Sequence, residues 1–161
     1  MVFSSSDGLV CVNILPTAQE IIEKEILLRH PRETGGILIG IYDENLRLAT
    51  IHFAAGPTED SQHGAFNFDR GVKGIKEQIA VAKKQISENV HYLGEWHSHP
   101  NNRAIPSNMD LKQMQTFAKN KQLGIKSPLL LIVGGLPKEK LEWLFSLHSY
   151  KKEPLYLAPF K

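Results

Sequence analysis

The stretch that decides the fold runs from residue 90 to residue 120 and reads VHYLGEWHSHPNNRAIPSNMDLKQMQTFAKN. Its first ten residues, 90–99, have the composition of a β-strand, and residues 107–120 repeat apolar side chains with the period of an amphipathic helix. The continuous apolar run PLLLIVGG, at 128–135, follows and is typical of a buried strand. This strand–helix–strand order indicates an α/β domain with helices packed on a sheet.

The flanking segments continue the same alternation of strands and helices. A loop is expected at 56–70, where the chain is polar and bounded by glycine and proline. Asp69 is a plausible N-cap for the helix that follows, whose apolar positions are Val72, Ile75, Ile79, Ala82 and Ile86. The remaining predicted elements are a strand at 9–16, a helix at 16–30, a hairpin of strands 35–42 and 46–55, a strand at 141–150 and a tail element at 153–160.

Length and composition predict one globular domain, residues 1–161. The net charge of +2 gives no support to a nucleic-acid or anionic-membrane surface. Cys11 is the only cysteine, so a disulfide within the chain is excluded and a reducing compartment is favoured; we interpret it as a buried, inert thiol. No apolar run reaches the roughly 18 residues that a membrane helix needs, and the N-terminus does not resemble a signal peptide. We therefore expect a cytoplasmic protein.

The motif HSH places two imidazoles where one metal ion can reach both. Residues i and i+2 of a strand point to the same face, so His97 and His99 lie side by side. Zinc takes histidine nitrogens and carboxylate oxygens, and a catalytic zinc keeps three protein ligands and a water. Asp110, in the first turn of the next helix, is the best-placed third ligand. The other histidines are not expected to be ligands; they are His30, His52, His63, His91 and His148.

Each part of this pattern also has an ordinary structural interpretation. Ser107 and Asp110 form the S-x-x-D of a helix capping box, and a histidine pair on a strand is often a solvated face or a core contact. A capping box does not require a histidine pair upstream, and a structural histidine pair does not require an Asp in the next helix. The occurrence of both features together therefore favours a metal site. A hydrolytic site also needs a carboxylate that accepts a proton from the metal-bound water. Glu33 is the candidate base, and Glu95 is a competitor or a partner that orients a histidine.

These residues resemble the JAMM (JAB/MPN) metalloprotease family, and its prokaryotic branch in particular. The family motif has a Glu, then H-[ST]-H-P, then a Ser separated from the second His by seven residues, and an Asp separated from that Ser by two. Here HSHP, Ser107 and Asp110 match that spacing, and ETGGILIG, at 33–40, is similar to the family's Glu-bearing strand. The resemblance implies a single JAB/MPN domain, with a curved mixed β-sheet flanked by α-helices, related to cytidine deaminases. The deaminase activity itself is excluded, because its P-C-x-x-C pair needs two cysteines.

The resemblance also implies a role for each matched residue. His97, His99 and Asp110 would bind one Zn²⁺ ion with a water, Glu33 would be the general base and proton donor, and Ser107 would stabilise the oxyanion. The implied activity is an isopeptidase or peptidase that cleaves after the C-terminus of a ubiquitin-like modifier. In CBASS antiphage systems the conjugated protein is a cyclic-nucleotide synthase. Ubiquitin-activating-like and ubiquitin-conjugating-like operon proteins are implied partners.

Three other functions stay open at the level of sequence. A metal-free JAB/MPN scaffold would bind partners without chemistry, although the complete set of five motif residues argues against it. A non-haem Fe(II) oxygenase also uses two histidines and one carboxylate. A relative acting in DNA repair would be expected to have a basic surface, which the net charge of +2 does not support.

Overall fold

The computed structural model describes residues 1–65, 67–125 and 127–160. Within them, eight strands form a closed barrel in the order β1-β10-β9-β8-β7-β3-β4-β2, and β5 and β6 form a separate two-stranded hairpin. The strands are β1 Val2–Ser4, β2 Cys11–Ile14, β3 Gly35–Tyr42, β4 Leu48–Ala54, β5 Gln62–His63, β6 Phe68–Asp69, β7 His91–Pro100, β8 Leu129–Leu136, β9 Lys140–Leu147 and β10 Leu155–Pro159. The helices are α1 Pro16–Arg29, α2 Ile75–Gln85 and α3 Asn108–Lys119, and a short 3-10 helix spans Lys121–Leu123.

One face of the sheet packs around α1. This helix begins with Pro16 in its first turn, which suits a position without a backbone hydrogen-bond partner. Its residues Ala18, Ile22 and Ile26 are buried in the same cluster as strand residues such as Leu38. Leu28, near the end of the same helix, is 73% exposed. The inner core therefore closes around a three-residue stripe of α1.

The opposite face of the sheet is covered by α2 and α3. Ala82 of α2 packs in one buried cluster with Ile37 and Ile39 of β3. Met114 of α3 packs in another with Leu130 and Ile132 of β8. The parallel pair of β7 and β8 is joined through α3, which places this helix beside the strand that carries the HSH motif.

A β-bulge in β7 sets which face its side chains occupy. Opposite β3, Leu38 pairs with Gly94 and Ile39 pairs with Tyr92, so Leu93 is an extra residue in the ladder. Leu93 and Trp96, three positions apart, consequently lie in the same inner cluster. Beyond the bulge, successive side chains of β7 again alternate between the two faces of the sheet. Every second side chain therefore points toward the face that α3 covers.

The structure corrects three expectations from the sequence. The sheet is a closed barrel rather than an open curved sheet, because β1 bridges β2 and β10 and removes the free edges; the mixed α/β class is confirmed. The segment predicted as a loop at 56–70 contains the β5–β6 hairpin. Asp69 lies in β6 and does not cap α2, which begins at Ile75 after Gly74 in the left-handed region (φ 88°), with Val72 outside it.

The lengths of the helices bear on membrane insertion. The longest helix among the described residues is α1, with 14 residues. None of the helices in that part of the chain combines the length and the apolar character needed to cross a bilayer.

Candidate metal centre

Strand β7 brings the two histidines of the HSH motif to one point. The Nε2 atoms of His97 and His99 lie 3.1 Å apart. His97 is buried and His99 is half-buried, whereas Ser98 between them points to the other face and hydrogen-bonds the backbone of Thr34. The arrangement follows the alternation of a strand, as the sequence predicted.

Asp110 joins the histidines from the first turn of α3. Its Oδ1 lies 3.3 Å from His97 Nε2, and its Oδ2 lies 3.6 Å from His99 Nε2. The same residue completes a capping box: the Ser107 N–H donates to Asp110 Oδ2 at 2.6 Å, and the Asp110 N–H donates to Ser107 Oγ at 3.2 Å. The capping interpretation is thus confirmed, and it coexists with the histidine contacts because the cap aims the carboxylate at β7.

The spacing of these ligand atoms fits one zinc ion. Two atoms that each lie about 2.0–2.1 Å from a tetrahedral zinc ion are roughly 3.3–3.4 Å from each other. Here the two Nε2 atoms are 3.1 Å apart, and each lies 3.3 or 3.6 Å from one of the two carboxylate oxygens of Asp110. One ligand atom from each of the three residues lies within 4.8 Å of the other two. Nitrogen and carboxylate donors in this number are also the set that catalytic zinc sites use.

The protonation states favour metal binding at neutral pH. Burial alone would raise the pKa of Asp110, but hydrogen bonding and charge from His97, with further hydrogen bonds from Ser107, lower that pKa to about 2. Burial, and then the charge of His97, lower the pKa of His99, against the opposing charge of Asp110. An ionised carboxylate and a neutral imidazole are the forms that coordinate a cation.

Glu33 lies two residues before the start of β3 and lines the same cleft as the metal cluster. Its side chain is buried, with 8% of its surface exposed. Burial raises its pKa; the charge of His97 lowers it, and that of Asp110 raises it again. A carboxylate with a raised pKa binds a proton more readily, which suits a general base.

The cleft around the cluster has a volume of about 460 Å³. Ser107 is on its wall, where its oxygen accepts the capping hydrogen bond and leaves the hydroxyl hydrogen free to donate. Ile105 and Met109 also line it and are 53% and 71% exposed. Sequence reasoning did not identify Phe68, a further lining residue, because it belongs to the segment predicted as a loop.

Glu95, the competing candidate for the base, has its carboxylate engaged by neighbouring side chains. It is buried on the same side of β7 as His97, but its carboxylate pairs with the guanidinium of Arg70 and accepts a 2.5 Å hydrogen bond from the Tyr92 hydroxyl. Burial raises the pKa of Glu95, and Arg70 and Tyr92 oppose that effect. Unlike Glu33, Glu95 is absent from the lining of the cleft.

The remaining histidines and the cysteine lie outside the cluster. Cys11 is half-buried in β2 and has no disulfide partner among the described residues. His148 directly follows β9 and hydrogen-bonds Ser146, and His30 faces Asn101 at 3.4 Å. His63 contacts the backbone carbonyl of Glu33, a contact that its position in a polar segment did not reveal.

Comparisons with known proteins identify a family and several relatives. Residues 16–146 match a family described as prokaryotic homologues of the JAB domain. A protein of Enterobacter hormaechei subsp. hoffmannii (strain UCI 50), named CD-NTase/cGAS isopeptidase, is 36% identical over 135 residues, which are 84% of this chain and 73% of that protein. A protein of Pseudomonas aeruginosa (strain BWHPSA011 / Pa011) with the same name is 31% identical over 104 residues, 64% of this chain and 63% of that protein.

A solved structure shares the fold. The solution structure of protein DSY2949 from Desulfitobacterium hafniense superposes with a TM-score of 0.62 and covers 90% of this chain and 88% of its own. The two sequences are 20% identical, so this similarity bears on the fold alone.

Proposed function

The chain belongs to the family of prokaryotic homologues of the JAB domain, and from that premise we propose that it is a zinc-dependent isopeptidase. The observation that carries the proposal is the convergence of His97, His99 and Asp110 in a cleft that also contains Glu33 and Ser107. We assign residues 1–161 to one catalytic domain, because strands from both ends of the chain complete the same barrel. A cytoplasmic location stays a prediction.

The proposed substrate is a protein whose C-terminus is joined to a lysine of a target. The names of the Enterobacter and Pseudomonas relatives favour a CD-NTase, a cyclic-nucleotide synthase of CBASS, as the conjugated protein. Water is added across the isopeptide bond, so that the synthase regains its C-terminal carboxylate and the target regains its lysine amine. A ubiquitin-like modifier is the alternative conjugate, and trimming of a precursor tail would be the same hydrolysis.

His97, His99 and Asp110 would hold the zinc ion through Nε2 atoms and a carboxylate oxygen. Bound zinc supplies Lewis acidity and lowers the pKa of a coordinated water to roughly 7. The capping box supports this ligand set, since it fixes the rotamer of Asp110 before any metal arrives.

The chain supplies two further groups for the reaction. The Glu33 carboxylate accepts a proton from the attacking water and then donates it to the leaving lysine amine. Ser107 donates its free hydroxyl hydrogen to the substrate carbonyl oxygen as negative charge develops there. Both side chains line the cleft with the ligands, and the exposed apolar side chains of Ile105 and Met109 lie on the same wall, where we propose that the substrate polypeptide binds.

The test uses Glu33→Gln, with Glu88→Gln as the matched control at an exposed position. A synthase–target conjugate is incubated with each protein, and mass spectrometry measures release of the free target. Wild type and Glu88→Gln should cleave after the synthase C-terminus, whereas Glu33→Gln should bind zinc in a one-to-one ratio and release nothing. Loss of zinc from Glu33→Gln would make Glu33 a ligand or a structural residue instead.

Two further measurements separate the rival functions. Absence of cleavage by zinc-loaded wild type, with retained binding of the conjugate, would favour a silent scaffold. Metal analysis after purification, followed by reconstitution with Zn²⁺ or Fe²⁺, separates a hydrolase from an oxygenase, because only the zinc form should cleave. Expressed with its neighbouring genes, the Glu33→Ala variant should let conjugates accumulate that wild type removes.

A further inference from the structure

We propose that His63 is a positioning residue that holds Glu33 in place through the β5–β6 hairpin. The proposal rests on the proposed function, in which Glu33 is the general base. Glu33 precedes the first residue of β3, so the β3 ladder does not hold it. Its position must come from other contacts, and the hairpin supplies them.

Both backbone groups of Glu33 are hydrogen-bonded to the hairpin. The Nδ1 atom of His63 lies 2.9 Å from the Glu33 carbonyl oxygen, and the Glu33 N–H donates to the Gly64 carbonyl at 2.8 Å. A carbonyl oxygen only accepts hydrogen bonds, so Nδ1 of His63 carries the hydrogen. This contact therefore specifies the tautomer of the imidazole.

The next residue is held from the opposite side by the strand of the metal ligands. The Thr34 N–H donates to Ser98 Oγ at 3.0 Å, and the Ser98 N–H donates to the Thr34 carbonyl at 2.8 Å. Ser98 stands between His97 and His99 in β7. The pair Glu33–Thr34 is thus fixed between the hairpin and β7, and the base is located relative to the ligands.

The hairpin is itself anchored. The imidazole of His63 packs against the ring of Phe68, with 5.3 Å between the centroids. Arg70, which follows β6, pairs with buried Glu95 of β7, and both side chains are nearly enclosed. The hairpin therefore acts as a fixed support for Glu33.

Displacement of a catalytic group by about 1 Å can cost roughly 100-fold in rate. Loss of the His63 hydrogen bond should therefore lower kcat by about 10-fold to 100-fold. The metal ligands are on β7 and α3, so zinc content and KM should stay at wild-type values. A residue with only a structural role would lower overall stability instead.

Two substitutions separate the hydrogen bond from the packing. His63→Phe keeps a ring against Phe68 and removes the donor, whereas His63→Asn can place its amide nitrogen near the position of Nδ1 and restore a donor. His91→Phe changes an exposed histidine at the start of β7 and is the matched control. Steady-state kinetics give kcat and KM, and amide hydrogen exchange of Glu33 and the ¹⁵N spectrum of His63 are measured on the metal-free protein.

The expected result is a loss of kcat and at least tenfold faster exchange at the Glu33 amide in His63→Phe, with both largely restored in His63→Asn. The ¹⁵N spectrum of wild type should show the hydrogen on Nδ1 of His63. Wild-type kcat and exchange in His63→Phe would overturn the proposal, as would equal losses in both variants or loss of zinc. If Glu33→Gln is fully active, the proposed function fails, whereas the exchange data still test the hydrogen bond.

Discussion

Asp110→Asn separates the two roles of this residue, metal ligand and helix cap. Oδ2 of Asp110 accepts from the Ser107 N–H at 2.6 Å, while Oδ1 faces His97 Nε2 at 3.3 Å. An amide oxygen can still accept the capping hydrogen bond, but the amide is uncharged and its nitrogen cannot coordinate a cation. The substitution should therefore weaken zinc binding and leave helix α3 formed.

The size of the effect follows from ligand binding. Loss of an anionic ligand should lower zinc affinity by at least about 100-fold. Removal of a residue that only hydrogen-bonds a metal ligand already lowers metal affinity by roughly 10–100-fold. At a zinc concentration of about 1,000 times the wild-type Kd, zinc stabilises the wild type by about 4.1 kcal/mol and the variant by about 1.4 kcal/mol. For a chain of this length, the zinc-dependent rise in Tm should fall from about 8–16 °C to about 3–6 °C.

The assay is thermal unfolding with and without Zn²⁺, together with direct titration of zinc into the metal-free protein. Asp69→Asn, at an exposed position in β6, is the matched control and should retain the full zinc-dependent rise in Tm. Ser107→Ala removes the cap acceptor and should destabilise the metal-free protein by about 1 kcal/mol without a large change in zinc affinity. An unchanged zinc-dependent rise in Asp110→Asn would refute the metal-ligand role and leave capping as the function of this carboxylate.

Three other perturbations test the fold. Gly35→Ala should cost about 1–3 kcal/mol in chemical denaturation and impair the site, because the new Cβ would lie 2.3 Å from the Trp96 carbonyl oxygen; wild-type stability would contradict this packing. Burial lowers the pKa of His148 to about 4 from 6.5. The contribution of this group to the free energy of unfolding is full above pH 6.5, and about 3 kcal/mol of it is lost as the pH falls toward 4. His148→Gln should therefore flatten the pH dependence of the free energy of unfolding between pH 6.5 and 4. An unchanged pH dependence in this variant would refute the argument. Phe145→Ala, which removes a buried ring 4.9 Å from Phe3, should cost about 3–5 kcal/mol in the same denaturation assay, and a loss below 1 kcal/mol would contradict its core position.

The local geometry of the candidate site could be predicted from the sequence. The period of a strand places His97 and His99 on one face, and the S-x-x-D spacing predicts the capping box that the structure contains. These relations hold because a few residues of backbone fix them.

The relative positions of the site's parts were decided by the tertiary structure. Thr34 and Ser98 are 64 residues apart, and their hydrogen bond depends on the register between β3 and β7. The bulge at Leu93 sets the side of the sheet on which the histidines lie, and a period of two carries no sign of it.

The same distinction explains where the sequence predictions were wrong. Strands β1, β5 and β6 span two or three residues each, too few to show an alternation. Strand β1 forms because β10, at the other end of the chain, pairs with it, whereas β5 and β6 pair with each other across a short connection. Their formation closes the barrel and builds the hairpin that contacts Glu33. The sequence by itself determined the types and spacing of the site residues, since those depend on local backbone geometry. Only the tertiary structure decided barrel closure and the approach of Glu33 to the histidines, because both depend on pairing between segments far apart in the chain.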